Sequence, residues 1–286
     1  MLSIFSKTKI LGIDVTEEYV RYSLISKNRN SVKFLSFGEE KIPRVEPKNA
    51  LLYALKNIVN KVGKVKAHVS FPMDFVRSET VSINLSSKKD FQEKIEIRLA
   101  EKNLISHEEE ILYFEKIDSF NDKIFFTVFI SSKENVSFIK SVIYNSELNV
   151  VKVVSPKDAL MNSCVRSGEI VNTLVVNVDS NRTNLAIFSP FNRFKGISAK
   201  VEKEDVPSLI TKTYQDFYEI SGDKIGYFFL SGSSASDIPF LNYLGRSTRL
   251  PVQQANIFSN VSIKDLPNIT KNESFNYAIA LGSAMQ

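Results

Sequence analysis

The sequence predicts an α/β protein built from two related halves, with a smaller α+β block inserted into the first. Three observations carry this prediction. A strand–turn–strand motif occurs twice, as Leu11–Ser26 (LGIDVTEEYVRYSLIS) and as Leu174–Ser189 (LVVNVDSNRTNLAIFS), with Asn177 in the place of Asp14 and Ser189 in the place of Ser26. Each copy is followed by a further strand, a crossover helix and an apolar strand, the succession that builds a sheet covered by helices. Within the first half lies a strand–helix–strand–strand–helix run with its own apolar stripe. Two halves of this kind, facing each other, commonly enclose a nucleotide.

The elements follow in order. After the first hairpin, Val32–Glu40 reads as a third strand, and Pro43 and Pro47 break the pattern. Asn49 can cap a helix running to about Lys61, with Leu51, Leu52, Leu55, Ile58 and Val59 on its apolar side. Gly63 ends it, and VKAHVSF alternates as a buried strand. Val76–Leu85 is a strand, and Ser86 or Ser87 can cap the helix Lys88–Asn103, where Phe91, Ile95 and Leu99 form one stripe. Strands at Ile111–Lys116 and Lys123–Ser131, joined through Asp118–Asp122, precede a helix at Lys133–Ser146. Val150–Val154 returns to the main body, and Pro156 opens a helix through Ala159, Leu160 and Cys164 toward Gly168. In the second half, Arg193–Ala199 is a strand, Glu204–Ile220 a helix, and Gly226–Leu230 an apolar strand running into Ser231-Gly232-Ser233-Ser234. A helix from Ser236 to Leu244, a strand at Pro251–Gln254 and a last helix, Glu273–Met285, complete the chain. In that last helix Ala278, Ala280, Gly282 and Ala284 are small enough for close packing.

Composition narrows the function. The chain has 286 residues, 43% of them hydrophobic and 24% charged, and a net charge of +5. Its lysines and arginines are scattered rather than clustered, so no nucleic-acid footprint is expected. One cysteine, Cys164, excludes an internal disulfide and points to a reducing compartment. No apolar run approaches the ~20 residues that span a bilayer, so no direct membrane span is expected. His68 in a buried strand and His107 in a loop have no partners at metal-ligand spacing, so neither a metal site nor a catalytic residue is assigned. Glu108-Glu109-Glu110 reads as a solvated acidic loop.

The ordered set of segments ILGIDV, AHVSFP, IEIRLAEKNLISHEEEILYFE, VVNVDSNRTNLAIF, LSGSSASDIPFLNYL and YAIALGSAMQ resembles, over nearly the whole chain, the PilM family of type IV pilus assembly proteins. That family sits within the actin-like (ribonuclease H-like) ATPase superfamily and is related to the division protein FtsA. The resemblance implies a two-lobed actin-like fold. Subdomain IA would comprise 9–85 and 148–172, the inserted α+β subdomain IC 86–147, and subdomain IIA 173–286. It also implies ATP and magnesium between the lobes, and a partner: the cytoplasmic N-terminal tail of a PilN-like inner-membrane protein, held near IA and IC. Other pilus platform proteins would join them, and the chain would be cytoplasmic and peripheral to the inner membrane through its partners.

The residues depart from the family pattern where the nucleotide is expected. A phosphate-binding turn needs small residues and free backbone N–H groups. Here Thr16 stands at the glycine position after Asp14, and Glu17-Glu18 at the hydroxyl positions. A carboxylate ~4 Å from a phosphate oxygen is repelled by roughly 4 kcal/mol per unit charge at an effective dielectric near 20. Magnesium reverses that sign, because carboxylates bind it, but a solvated acidic turn is the simpler reading. In the second hairpin Asn177 replaces the aspartate and Asp179 the glycine, leaving Ser180 and Thr183 as phosphate donors. In the adenosine segment the paired glycines are reduced to Gly232-Ser233. Only residues 198–223 stand where the family places subdomain IIB, which is therefore expected to be missing or vestigial.

Together these departures predict a degenerate ATPase site, its cleft present and mostly empty, with no cofactor and a scaffolding role. Ile97, Leu99, Leu104, Ile105 and Phe114 are the candidates for partner contact from IC, beside the simpler reading that each fills the IC core. The alternative is an active nucleotide-dependent ATPase or kinase of the same superfamily, which would use ATP and magnesium. A tether of the FtsA type is expected to carry a linker and an amphipathic helix beyond the packing helix.

Overall fold

The computed structural model describes residues 8–28, 31–43, 47–72, 75–84, 91–101, 104–105, 109–120, 123–179, 182–190, 197–263 and 271–286. The first half begins with β1 (Thr8–Val15), β2 (Tyr19–Lys27), β3 (Val32–Lys41), α1 (Pro47–Val62) and β4 (Lys66–Ser70). An inserted run follows, β5 (Arg77–Asn84), α2 (Phe91–Glu101), β6 (Glu110–Phe120), β7 (Lys123–Ser132) and α3 (Lys133–Ser146), before β8 (Asn149–Val153) and α4 (Pro156–Cys164). The second half contains β9 (Thr173–Val178), β10 (Thr183–Phe188), β11 (Ile197–Ala199), α5 (Val206–Ser221), β12 (Tyr227–Ser231), α6 (Ile238–Thr248) and β13 (Val252–Gln254). It closes with the single turn α7 (Lys271–Ser274), a 3₁₀ turn at Phe275–Tyr277 and α8 (Ala278–Met285).

The repeat reaches well beyond the hairpins. One sheet has the strand order β3–β2–β1–β4–β8 and the other β11–β10–β9–β12–β13, with the same parallel and antiparallel pairings around β1 and β9. Asp14 faces Arg21 on β2 and Ser70 on β4; Asn177 faces Asn184 on β10 and Ser231 on β12. Strands β1 and β9 are central, and their buried stretches Ile10–Ile13 and Leu174–Val176 carry no polar side chain before these two residues.

Helices α4 and α8 share one core with both sheets, through Ile10, Ile25, Leu160, Cys164, Val175, Ala186, Ile279 and Leu281. Close approach explains the small residues of the last helix. A Cβ on Gly12 of β1 would strike the backbone of Ala280 and Ala284, and one on Gly282 would strike the Ala159 carbonyl of α4. Helices α5 and α6 cover the other face of the second sheet with Val206, Ile210, Phe217, Phe240 and Leu244. The interval at 198–223 thus holds the end of β11 and α5, a single helix devoted to that core.

Several boundaries differ from the sequence-based expectation. The chain divides into residues 1–71 with 145–286, and residues 72–144. Strand β5 pairs with β7 in the order β5–β7–β6, as the strand–helix–strand–strand–helix reading has it, so the inserted unit begins at Pro72 rather than at the 86 that the resemblance implied. Its core is Val81, Ile83, Ile95, Leu99, Ile124, Phe126, Val128 and Ile130, under α2. Asn49 lies inside the first turn of α1 rather than capping it, because Pro47, which needs no partner for a backbone N–H, opens the helix. The last helix is interrupted at Phe275–Tyr277, where the Phe275 carbonyl accepts from the Gly232 N–H (3.0 Å) and the Asn276 carbonyl from Arg21 (3.3 Å). Carbonyls turned outward to other donors leave the α-helical ladder for a 3₁₀ turn. The caps Ser86 and Ser87 and residues 193–196 of the strand before α5 lie outside the described residues.

Candidate functional site

The site is built where the two hairpins bring their turns together. Both turns close alike: the Thr16 N–H donates to the Tyr19 carbonyl (2.9 Å) and the Asp179 N–H to the Arg182 carbonyl (2.9 Å). In the first turn the Thr16 hydroxyl donates to the Tyr19 carbonyl (2.8 Å) and accepts from the Tyr19 N–H (2.9 Å), so it is spent on the turn itself. Thr16 and Asp179 therefore hold equivalent positions, and so do Tyr19 and Arg182.

Asp179 is the centre of the arrangement. Its Oδ1 accepts from Arg21 Nη1 at 3.0 Å and from the Ser233 N–H at 3.2 Å. With the Asn177 amide oriented to satisfy its neighbours, that side chain donates to Asp179 Oδ2 (3.2 Å) and accepts from the Ser231 hydroxyl (3.3 Å) and the Gly232 N–H (3.1 Å). Arg21, 6% exposed, also lies 3.5 Å from Glu39. Pairing with Asp179 and Asp14 holds its guanidinium firmly charged against the opposing effect of burial. The opposite crossing is made by Glu17, whose carboxylate lies 2.6 Å from Lys200 Nζ and 4.0 Å from Arg182 Nη2. A basic residue of each hairpin thus faces an acid in the turn of the other.

Asp14, 5% exposed, sits beneath these pairs. Burial pushes its carboxyl up to about 7; Arg21 and Arg182 pull it down and Asp179 raises it further. Desolvation wins because the two guanidinium groups bond to other partners. Among the described residues no His, Cys, Asp and Glu cluster is arranged to hold a metal ion.

The other predicted residues are placed as follows. Thr183 is buried on β10, its hydroxyl without a hydrogen bond among the described residues. Gly232 adopts φ +84°, and a Cβ there would strike the Val178 backbone, which is why glycine stands at this position. The Ser233 N–H is taken by Asp179, and Ser180 lies outside the described residues. Glu17 is exposed, as a solvated acidic turn implies, and in addition reaches across the hairpins to Lys200 and Arg182, while Asp179 reaches Arg21. Among the partner candidates, Leu99 is buried in the core of the inserted unit, with Leu104, Ile105 and Phe114 packed against it; Ile97, 50% exposed, faces solvent. Ile111 and Tyr113, which the sequence pattern did not single out, are also exposed. Arg21, Arg182 and Lys200 were missed as well. For Arg21 the signal was present, a charged residue in the middle of a strand that is otherwise buried.

Five strands repeated in the same order, two facing hairpins and a central helix pair define an actin-like ATPase fold. Among solved structures of this architecture, the chain is similar to one from the PilM–PilN type IV pilus biogenesis complex, with a TM-score of 0.78 at 13% identity, covering 98% of each chain. It is also similar to the cytoplasmic domain of EpsL, an inner-membrane component of the type II secretion system of Vibrio cholerae (TM-score 0.58, 11% identity, 97% of this chain and 94% of that one). A protein of Bacteroides thetaiotaomicron with an actin-like ATPase fold has a TM-score of 0.54 at 14% identity, covering 91% and 97%. In sequence the chain matches no protein-family model and no curated protein. No helix among the described residues is long and apolar enough to cross a membrane.

Proposed function

We propose that this chain is a PilM-like cytoplasmic scaffold of a type IV pilus or related secretion platform. In this reading it binds the cytoplasmic tail of a PilN-like inner-membrane protein, meets the membrane through such partners, and works without hydrolysing ATP. The likeness to a chain of the PilM–PilN complex and to the EpsL cytoplasmic domain supports the platform role.

The observation that carries the non-enzymatic part is the Asp179 carboxylate. It already holds the Ser233 N–H and the Arg21 guanidinium, donors of the kind an anionic ligand between the turns would use. The residues present do not fit ATP with magnesium. A phosphate placed there would meet the carboxylates of Asp179 and Glu17 and would have to strip Arg21 of a partner while it stays buried.

The test is a titration of the full chain with a fluorescent peptide from the cytoplasmic tail of a PilN-like membrane protein of the same organism, with and without ATP and magnesium. Saturable binding, unchanged by nucleotide, is expected. No binding, or binding that requires ATP, would overturn the reading.

A further inference from the structure

At the end of β1, Asp14 lies directly opposite Arg21 on β2 and Ser70 on β4. The equivalent trio of the second half, Asn177, Asn184 and Ser231, carries no charge. There the Asn177 amide bonds to the Ser231 hydroxyl (3.3 Å) and the Gly232 N–H (3.1 Å). In the first half neither the Asp14 carboxyl nor the buried Ser70 hydroxyl makes a hydrogen bond with any described residue. An acid and a base directly opposite each other on neighbouring strands ordinarily pair. Arg21 instead reaches across to the other half. Its Nη1 donates to Asp179 at 3.0 Å and to the Asn276 carbonyl at 3.3 Å, while its buried Nε makes no hydrogen bond. One guanidinium thus stands between two carboxylates, one in its own sheet and one in the other half, and bonds only the second.

The groups that face Asp14 come from several elements. Burial acts on its carboxyl most strongly and pushes it up to about 7; Arg21 of β2 lowers it, Asp179 raises it, and Arg182 at the start of β10 lowers it. Glu39 of β3 and Glu17 of the first turn lie against the two arginines. On β4, two residues from Ser70, His68 holds the Ser283 carbonyl at 2.9 Å, and burial keeps its ring below the usual histidine range. Tyr277 in the 3₁₀ turn is pushed up to about 12 by burial and stays protonated. Helix α8 carries no charged residue. The arrangement with Arg21 committed to Asp179 is therefore that of a protonated Asp14. Loss of the proton would leave a buried carboxylate beside the guanidinium with no hydrogen bond of its own, and an unpaired buried charge is strongly disfavoured.

We propose that Arg21 is a two-position latch between the halves, controlled by the proton on Asp14: with the proton bound, Arg21 clasps Asp179, and with the proton lost to solvent it turns back to Asp14 and releases the second turn. Asp179 then keeps the Ser233 N–H and the Asn177 amide but loses its bond to the first half. The other crossing, from Glu17 to Lys200 and Arg182, has exposed partners and holds less firmly. The latch is independent of the platform role.

Hydrogen exchange of the full chain, read by peptide at about pH 6 and about pH 8 and corrected for the intrinsic pH dependence of amide exchange, tests it. Asp14→Asn is the informative variant. Asparagine holds the equivalent position in the second half, so the fold accepts it, and it cannot ionise. In the parent, peptides carrying the Thr16 and Asp179 amides, which close the two turns, should lose protection by about ten-fold or more between the two pH values. Peptides from the strand cores Ile10–Ile13 and Leu174–Val176 should hold theirs. Asp14→Asn should keep both turns protected at either pH, and Asp179→Asn, which removes the charge that Arg21 crosses to reach, should leave them poorly protected at both. Turn protection that does not change with pH, a pH response that Asp14→Asn retains, a loss spread evenly over both sheets, or turns that stay protected in Asp179→Asn would overturn the inference.

Discussion

Removing the Asp179 carboxylate leaves the Arg21 guanidinium buried with Glu39 at 3.5 Å and the Asn276 carbonyl as its remaining partners. Breaking one side of a buried pair costs about 3 kcal/mol, whereas replacing both charges with apolar groups is close to neutral. Asp179→Ala should therefore lower the unfolding free energy in urea by about that amount, and Arg21→Met with Asp179→Leu should recover most of it. Asp14 gives a pH signature. Its folded value of about 7 lies above the ordinary 3.8, so between those values the folded chain holds a proton that the unfolded chain has released. Stability from this group is present at low pH and falls by about 1.4 kcal/mol per pH unit as pH rises through that window. Asp14→Asn should flatten this slope and raise stability at pH 8, as measured by urea unfolding across pH. At this scale the sequence revealed the substituted positions Thr16, Glu17, Asn177 and Asp179, because each departs from a pattern in its own short segment. It concealed their partners, because the Arg21–Asp179 pair joins residues 158 apart in the chain.

Helix α8 is set by two contacts without room for a methyl group. Gly12→Ala and Gly282→Ala would each drive a Cβ into main chain of a packed neighbour, a change that costs about 1–3 kcal/mol or more by overpacking. Thermal melts should show both variants well below the parent, while Gly63→Ala, with open space around it, should suffer from its φ of +85° alone. Helix α2 separates two kinds of residue that sequence reasoning grouped together. Leu99→Ala should cost about 2–5 kcal/mol as a core truncation. Ile97→Asp should leave unfolding nearly unchanged; if α2 meets the PilN-like tail, it should weaken peptide binding about ten-fold or more. Periodicity made α2, α5 and the hairpin strands legible. It did not show the break at Phe275–Tyr277, because that break arises from Arg21 and Gly232 claiming carbonyls from a distant part of the chain.

Across the whole molecule, the duplicated hairpin was the visible part of a duplicated five-stranded sheet. The further equivalences, Ser70 with Ser231 and Glu147 with Arg249, follow from strand register rather than from any likeness of the segments around them. The inserted unit was legible as a strand–helix–strand–strand–helix run, first strand included; only the boundary at 86 implied by the family resemblance left that strand in the other body. We propose that Asp179, Arg21 and Glu17 hold the space between the two turns and leave no place for a nucleotide. Isothermal titration of the full chain with ATP and magnesium tests it most directly. The account predicts no saturable heat up to about 1 mM; one-to-one binding with a Kd near or below about 100 µM, abolished by Asp14→Ala, would contradict it.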